Sequence, residues 1–158
     1  LDLLLKLQKD RKQPAAIWCG QYDALTHEPD HARGMEPISY ASVESSQILK
    51  WLMSRESKEA QEIAAIESAL KWFDAHKITG FKYDHDTLTP DSNASEPLWA
   101  RFYDIESNKA IYPGRDGVIY DDFNQMAEKN ELGYDFISSR PFSVISNGQK
   151  KWRKALTK

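Results

Sequence analysis

Hydrophobic residues at the start of the chain recur at helical spacing. Leu1, Leu4, Leu5 and Leu7 fall on one side of a short helix, and the polar stretch KDRKQP interrupts the pattern after them. The sequence therefore predicts a short amphipathic helix that ends in a polar segment.

Two longer helices follow and are predicted to form a helical hairpin. Ser42 is placed to cap the first, VESSQILKWLMSR, and Ser57 to cap the second, which runs from Lys58 to about His76. The predicted buried positions are Val43, Leu49 and Leu52 in the first helix, and Ile63, Ile66, Leu70 and Phe73 in the second.

Two segments lack a hydrophobic period and predict loops. Residues 15–40, AAIWCGQYDALTHEPDHARGMEPISY, are rich in turn-forming residues, and residues 80–96 are rich in Asp, Thr, Ser, Pro and Asn. Long ordered loops in compact domains often carry functional residues, so the first segment is a candidate for part of a site.

Strict alternation between residues 98 and 104 predicts a strand. Trp99, Arg101 and Tyr103 then share one face, ESNK turns the chain, and AIYP returns as the paired strand. After this hairpin, Asp121 or Asp122 caps a helix to about residue 131. A last short helix begins near residue 146, so the pattern is mainly helical with one small hairpin.

Composition narrows the class of protein. The 158 residues are 41% hydrophobic and 28% charged, which is typical of one soluble globular domain. The net charge of -3 argues against a nucleic-acid partner, and no apolar run reaches the length of a membrane span. Cys19 is the single cysteine, so no internal disulfide forms. The opening LDLLLKLQKD is typical of the middle of a helix, and we expect the chain to be part of a larger protein.

Two arginines stand out in the second half. Arg101 lies between aromatic residues on the predicted strand, and Arg115 occupies the tight corner PGRDG. A guanidinium held by rings and a turn suits bidentate binding of a carboxylate, and both could point into one cleft. The alternative is local ion pairing, of Arg115 with Asp116 or Asp121 and of Arg101 with Glu96.

The long loop adds a third arginine and aromatic residues. Arg33 precedes Gly34, which permits unusual backbone angles and close approach. Trp18, Gln21 and Tyr22 could supply a platform and hydrogen bonds for a sugar ring. The alternative is that Trp18 belongs to the core and Gln21 braces the loop.

The motifs WCGQYDALTHEP…HARGMEP, SVESSQILKWLM and PLWARFYDIESNKAIYPGRDGVI, in this order, resemble the C-terminal half of the pectate lyases of polysaccharide lyase family 10. The resemblance spans roughly residues 1–134. It implies a mainly α fold, an α/α toroid of helical hairpins with a small β-hairpin and long groove-lining loops. Residues 1–158 would be the C-terminal part of one catalytic domain. The whole enzyme would be bacterial, secreted and monomeric, with polygalacturonate as its partner.

The resemblance also implies a reaction mechanism and the roles of individual residues in it. The reaction is Ca²⁺-dependent anti β-elimination, with Arg33 as the base that removes the C5 proton and Arg101 and Arg115 as carboxylate ligands. Trp18, Gln21, Tyr22 and Tyr103 complete the expected substrate-binding set. Neighbouring cations disfavour the protonated form of the base, so activity should rise in alkaline conditions.

The resemblance does not identify calcium ligands within this chain. The family's calcium-binding carboxylates are expected upstream of Leu1, which leaves no metal site in this chain and predicts little activity for it alone. Asp84 and Asp86 in YDHD lack the glycine and distal glutamate of an EF-hand loop. His27 and His31 lie in a proline-containing loop and do not predict zinc.

Two other functions stay open from the sequence. A non-catalytic polyuronate-binding module would use Arg101, Arg115 and the aromatic residues without chemistry. An α/α-toroid glycoside hydrolase would need two carboxylates that flank the bond, and Glu36 and Asp23 would have to serve.

Overall fold

The structure is a computed structural model that describes residues 1–9, 16–55, 57 and 59–157. Its helices are α1 (Asp2–Lys9), α2 (Ser42–Ser54), α3 (Ala60–Ala75), α4 (Phe123–Lys129) and α5 (Arg140–Leu156). Its strands are β1 (Tyr40–Ala41), β2 (Phe81–Asp84), β3 (Thr87–Pro90), β4 (Trp99–Ala100), β5 (Phe102–Tyr103), β6 (Ala110–Pro113), β7 (Ile119–Tyr120) and β8 (Ile137–Ser138).

The strands form three antiparallel sheets. One has four strands in the order β1-β5-β6-β7, and the others pair β2 with β3 and β4 with β8. The expected mainly α fold is therefore wrong, because the described residues form a mixed α/β fold and show no toroid of helical hairpins. Strands of two to four residues are too short to give a clear period in the sequence.

Helix α2 packs against α3, with which it was predicted to form a hairpin. It also packs against α5. Large side chains fill the core between these helices and the sheets, with Trp72, Phe73, Leu49 and Trp152 fully buried. Within the described residues, no helix is long and apolar enough to cross a membrane.

The predicted helix starts differ from the observed ones. Ala41, not Ser42, is the N-cap residue of α2, and the Ser42 hydroxyl donates to the carbonyl of Ala100 at 2.6 Å. Glu59 is the N-cap residue of α3; Lys58 and the predicted breaker at residues 10–14 lie outside the described residues. The prediction of an Asp122 cap is confirmed, because its carboxylate accepts from the backbone N–H of Gln125.

Two further predictions are corrected. Residues 80–96 are not one loop, because β2 and β3 pair there as a hairpin around His85, whose φ is 51°. Helix α5 begins at Arg140, ahead of the predicted start, and carries buried Pro141 in its first turn. Proline suits the first turn of a helix because that turn needs no N–H donor from it.

The strand predicted for residues 98–104 is interrupted at Arg101. β4 pairs with β8, whereas β5 pairs with β1 and β6, so the chain changes sheets at this residue. The backbone groups of Arg101 remain satisfied: its N–H donates to Phe136 at 2.7 Å, and its carbonyl accepts from Ser42 at 3.0 Å. The interruption turns the Arg101 side chain away from the strand face that Trp99 and Tyr103 were expected to share with it.

Buried tyrosines predict a loss of stability at alkaline pH. Burial and the nearby Asp122 charge raise the pKa of Tyr112 to about 12. Because the unfolded chain loses this proton near pH 10, the stabilising contribution is complete below pH 10 and is lost as pH rises towards 12. We expect the free energy of unfolding of Tyr112→Phe to fall less between pH 9 and 11, by up to about 1.4 kcal/mol. Urea unfolding of both proteins tests this, and an equal loss would contradict it.

Candidate functional site

The three arginines singled out by the sequence lie around one tyrosine. Burial is the largest cause that raises the pKa of Tyr134, and the charge of Glu36 raises it further. The charges of Arg101, Arg33 and Arg115 act in the opposite direction and lower it. All three guanidinium groups are therefore within electrostatic range of the same phenol.

Arg101 is held from two sides. Its Nη2 donates to Oε1 of Glu44 at 2.6 Å, and its guanidinium carbon lies 4.8 Å from the ring centre of Tyr134 and 5.8 Å from that of Phe102. The Arg101 side chain is 25% exposed. Stacking on aromatic faces and a charge-assisted hydrogen bond fix the plane of the guanidinium and leave one edge accessible.

Arg115 projects from the corner between β6 and β7. The corner is closed by hydrogen bonds between Gly114 and Val118 and between Gly117 and Gly114, and Gly117 has a φ of 81°. The Arg115 guanidinium lies against Gly133, where an added Cβ would be 2.5 Å from Nη2. Gly133 directly precedes Tyr134, so Arg115 and Arg101 contact neighbouring residues of the same segment.

Arg33 is exposed at the tip of the long loop. A backbone hydrogen bond of 2.8 Å from Glu36 N–H to the Arg33 carbonyl closes a tight turn there. Gly34 is outside the left-handed region, and nothing lies within 4 Å of a Cβ built on it. The predicted role of Gly34 in allowing unusual backbone angles is therefore wrong.

Local ion pairing does not account for all three arginines. Arg101 pairs with Glu44 rather than with Glu96. Neither Arg33 nor Arg115 forms an ion pair with any described residue. The side chain of Asp116 instead accepts from the Tyr120 hydroxyl and from the backbone of Val118, which stabilises the corner itself.

The aromatic residues of the predicted platform divide into buried and accessible ones. Trp18 is 1% exposed and donates its indole N–H to the Leu4 carbonyl, and Tyr103 is 3% exposed with its hydroxyl bonded to His76. Both rings belong to the core, as the alternative for Trp18 predicted, and neither offers a face to a sugar.

The remaining pair of the platform lies at the surface. Gln21 is exposed and donates a long hydrogen bond to the Tyr22 carbonyl at 3.4 Å, and Tyr22 is half-buried. The Tyr22 hydroxyl oxygen accepts from the backbone N–H of Cys19 at 2.7 Å. Of the predicted platform, Gln21 and Tyr22 are therefore the residues that lie at the surface.

Asp23, one of the two carboxylates considered for a hydrolase, does not suit the role of general acid. Backbone N–H groups of Thr26 and Leu25 donate to Asp23, and these bonds hold the pKa of Asp23 below its usual range. A general acid needs the reverse shift. Asp23 therefore stabilises a turn in the long loop.

No calcium site is evident in the part of the chain that the structure describes. It contains no group of three or more His, Cys, Asp or Glu residues that could hold a metal ion. Asp86 accepts from the Thr87 hydroxyl, and Asp84 lies 3.8 Å from the Lys82 ammonium. These carboxylates already have local partners, so the residues present do not fit a calcium ion.

The sequence interpretation missed three residues of this region. Tyr134 stacks on Arg101, Glu44 binds Arg101, and Arg140 lines a small cavity together with Arg101 and Tyr134. Glu44 lies in the first turn of α2, and Tyr134 lies at the end of the segment that carries the resemblance. The one available signal was the dipeptide Gly133-Tyr134, in which a small residue stands beside an aromatic one after a helix.

Comparison with known proteins places this chain in a family. The sequence model of the family described as pectic acid lyase matches residues 1–145. No curated protein matches the chain. Two solved structures of a family 10 polysaccharide lyase from Cellvibrio cellulosa are similar, each with a TM-score of 0.81 and 30% sequence identity.

The similarity covers most of this chain but only part of those proteins. It spans 94% of this chain and 48% of a point mutant whose structure contains trigalacturonic acid; for the second structure the shares are 94% and 47%. The chain therefore spans about half the length of these solved relatives. The family match extends over well more than half of the sequence, and the resemblance carried by the arginine motifs is confirmed. The chain belongs to the pectic acid lyase family.

Proposed function

We propose that the chain is the C-terminal part of a pectate lyase catalytic domain, one that cleaves polygalacturonate by Ca²⁺-dependent anti β-elimination with Arg33 as the base. The observation that carries the proposal is the cluster of Arg33, Arg101 and Arg115 around Tyr134, in which two guanidinium groups form no ion pair with a described residue. The family match and the trigalacturonic acid bound to a similar structure support it.

The cluster suits the charge that this reaction develops. The C5 hydrogen is α to a carboxylate, so its removal places a second negative charge on an enolate-like group. The electron pair of the broken C5–H bond forms the C4–C5 double bond, and the C4–O bond breaks as its oxygen leaves and takes up a proton. Preorganised cations beside the carboxylate stabilise this state more than the ground state. Arg101 and Arg115 supply those cations, and Arg33 accepts the proton.

The contacts of Arg101 define which donors remain for the substrate. Glu44 uses one N–H of Nη2, and Nε is buried without a hydrogen-bond partner among the described residues. The donors on Nη1 are not used by any hydrogen bond that the described residues form with one another. A planar guanidinium with one free edge offers a carboxylate two adjacent N–H groups.

Calcium enters the proposal only through residues beyond this chain. The described carboxylates do not form a site for it, so the proposal assigns its ligands to a segment upstream of Leu1. When bound, the ion would add positive charge near the uronate carboxylate. Every contact proposed above is made by this chain's own side chains.

The test of function is incubation of the longer protein, which includes the segment proposed to hold Ca²⁺, with polygalacturonate and Ca²⁺ while ultraviolet absorbance is followed. A lyase generates absorbance from the new C4–C5 double bond. New reducing ends without this absorbance would identify a hydrolase, and binding without either product would identify a non-catalytic module. Both results would overturn the proposal.

Arg33 is expected to act in the transition state. Replacing it with Ala or Lys should lower kcat by at least about a hundredfold, the usual contribution of a general base, and leave binding of trigalacturonic acid nearly unchanged. Initial rates and calorimetric titration separate the two quantities. The control is Arg153→Ala, which removes an exposed arginine of α5 that binds Glu67 of α3. Near-normal turnover of Arg33→Ala would remove the proposed base.

Substitution of Gly133 tests the position of the Arg115 guanidinium without removing its charge. Gly133→Ala places a Cβ against Nη2, and the flexible guanidinium must move, so stability should change little while substrate affinity falls. Arg115→Ala should weaken affinity by about tenfold, the value of a charge-assisted hydrogen bond.

A double-mutant cycle decides whether Gly133 acts through Arg115. In the Arg115→Ala background, Gly133→Ala should have no further effect on affinity, because the group it displaces is absent. Additive losses in the double variant would show that the glycine affects binding by another route.

Tyr134 is expected to act through its ring. Tyr134→Phe keeps the face against Arg101, so affinity and the pH profile of turnover below pH 10 should match the wild type, whose phenol is protonated there because its pKa is raised. Tyr134→Leu should lower affinity severalfold, since Arg101 loses a stacking partner worth about 1 kcal/mol. Steady-state kinetics between pH 6 and 10 measure both. A changed profile for Tyr134→Phe would contradict a role confined to the ring.

A further inference from the structure

A second cationic residue, Arg140, lines a small cavity together with Arg101. The cavity has a volume of about 260 Å³. It is lined by Val43, Arg101, Tyr134, Asp135, Ser138 and Arg140. Arg101 and Tyr134 belong to the cluster already described, whereas Arg140 and Ser138 have no part in the proposed function so far.

The pairing of β4 with β8 fixes Arg140 beside Arg101. Ser138 is the register partner of Trp99, and the Arg101 N–H binds the carbonyl of Phe136. The Ser138 hydroxyl accepts from the Arg140 backbone N–H at 3.0 Å, where α5 begins. The backbone of Arg140 is thus anchored to the strand that runs next to Arg101.

The charge of Arg140 is only weakly compensated. Its Nη2 lies 3.9 Å from Asp135 Oδ2, and the other oxygen of Asp135 lies 3.2 Å from His85 Nδ1. The Arg140 side chain is 68% exposed. An exposed ion pair at this distance contributes little to stability, and salt screens the attraction between its charges. Asp135 is the one carboxylate that pairs with Arg140 in the described part of the chain.

We infer that Arg140 and Ser138 form an outer subsite that binds the carboxylate of a further uronate ring in the galacturonan chain held by Arg101. The inference rests on the proposed function, because it takes Arg101 as a ligand of a uronate carboxylate. Every ring of polygalacturonate carries a carboxylate, so a chain fixed at one ring brings other carboxylates to neighbouring positions along the cleft.

The residues that line the cavity suit different groups of a uronate ring. The fork of Arg140 offers paired donors to a carboxylate, and the Ser138 hydroxyl adds a short donor. Asp135 repels a carboxylate but accepts hydrogen bonds from sugar hydroxyls. This arrangement orients the ring with its carboxylate towards Arg140 and its hydroxyls towards Asp135.

Calorimetric titration with galacturonic acid oligomers of two, three, four and five rings tests the subsite. In the wild type, affinity should increase with length as the outer ring engages Arg140. Arg140→Ala should bind the shortest oligomer as the wild type does and lose about tenfold in affinity for the longest, and Arg140→Lys should recover part of this loss. The matched control Arg153→Ala removes an exposed arginine 13 residues along α5, or about 20 Å away, and should bind every oligomer normally.

The outcomes separate this inference from the proposed function. If the wild type binds none of the oligomers, the proposed function fails, and the subsite fails with it. If the wild type binds them and Arg140→Ala matches it at every length, the subsite alone is overturned. Equal losses in Arg140→Ala and Arg153→Ala would mean a general charge effect and would also overturn it. A loss specific to Arg140 and to the longer oligomers supports it.

Discussion

The site depends on the change of sheet that the backbone makes at Arg101. β4 and β5 pair with different strands, and the residue between them satisfies its own backbone through Phe136 and Ser42. These two bonds direct the guanidinium towards Glu44 and the ring of Tyr134. A continuous strand would have left Arg101 on the face of Trp99 and Tyr103, both of which are in the core. The interruption is what places a cation at the surface.

A cluster of aromatic rings supports the Arg101 side chain from one side. The rings of Phe102 and Phe136 pack on Tyr134, with ring centres 6.2 and 4.7 Å from its own, and Arg101 lies over the rings of Phe102 and Tyr134. Glu44 approaches from α2, whose own position is fixed by packing on α3 and α5. An arginine whose plane is fixed before binding loses less entropy when it binds a carboxylate. The helices therefore contribute to the site through the orientation of one side chain.

Local patterns in the sequence predicted the helices and the cap that depend on contacts between residues close in the sequence. Leucine spacing gave α1, the apolar stripe gave α3, and Asp122 marked the start of α4. The residue types around Arg101 and Arg115 predicted a site for carboxylates, and the structure brings both near Tyr134. The predictions that failed concerned features that depend on contacts between residues far apart in the sequence. Two-residue strands such as β8 exist only because a partner lies alongside, and Trp18 has the same sequence context whether it is buried or exposed.

The expected toroid came from the resemblance rather than from any pattern in these residues. The described residues form a mixed fold, and the family is nevertheless correct, so motif identity predicted the family better than it predicted the architecture. The reason is physical: an arginine motif requires only a few local contacts, whereas a closed ring of helices requires packing along the entire chain. Arg140 illustrates the converse, since only the pairing of β4 with β8 brings it to the site.

The most direct test of the central claim is a crystal structure of the protein with trigalacturonic acid. One uronate carboxylate should lie within hydrogen-bond distance of Arg101 and Arg115, with C5 of that ring facing Arg33. The ring of Tyr134 should remain stacked on Arg101. A trisaccharide bound elsewhere, for example in the cavity of about 460 Å³ between α3 and α5, with no contact to these arginines, would contradict this claim.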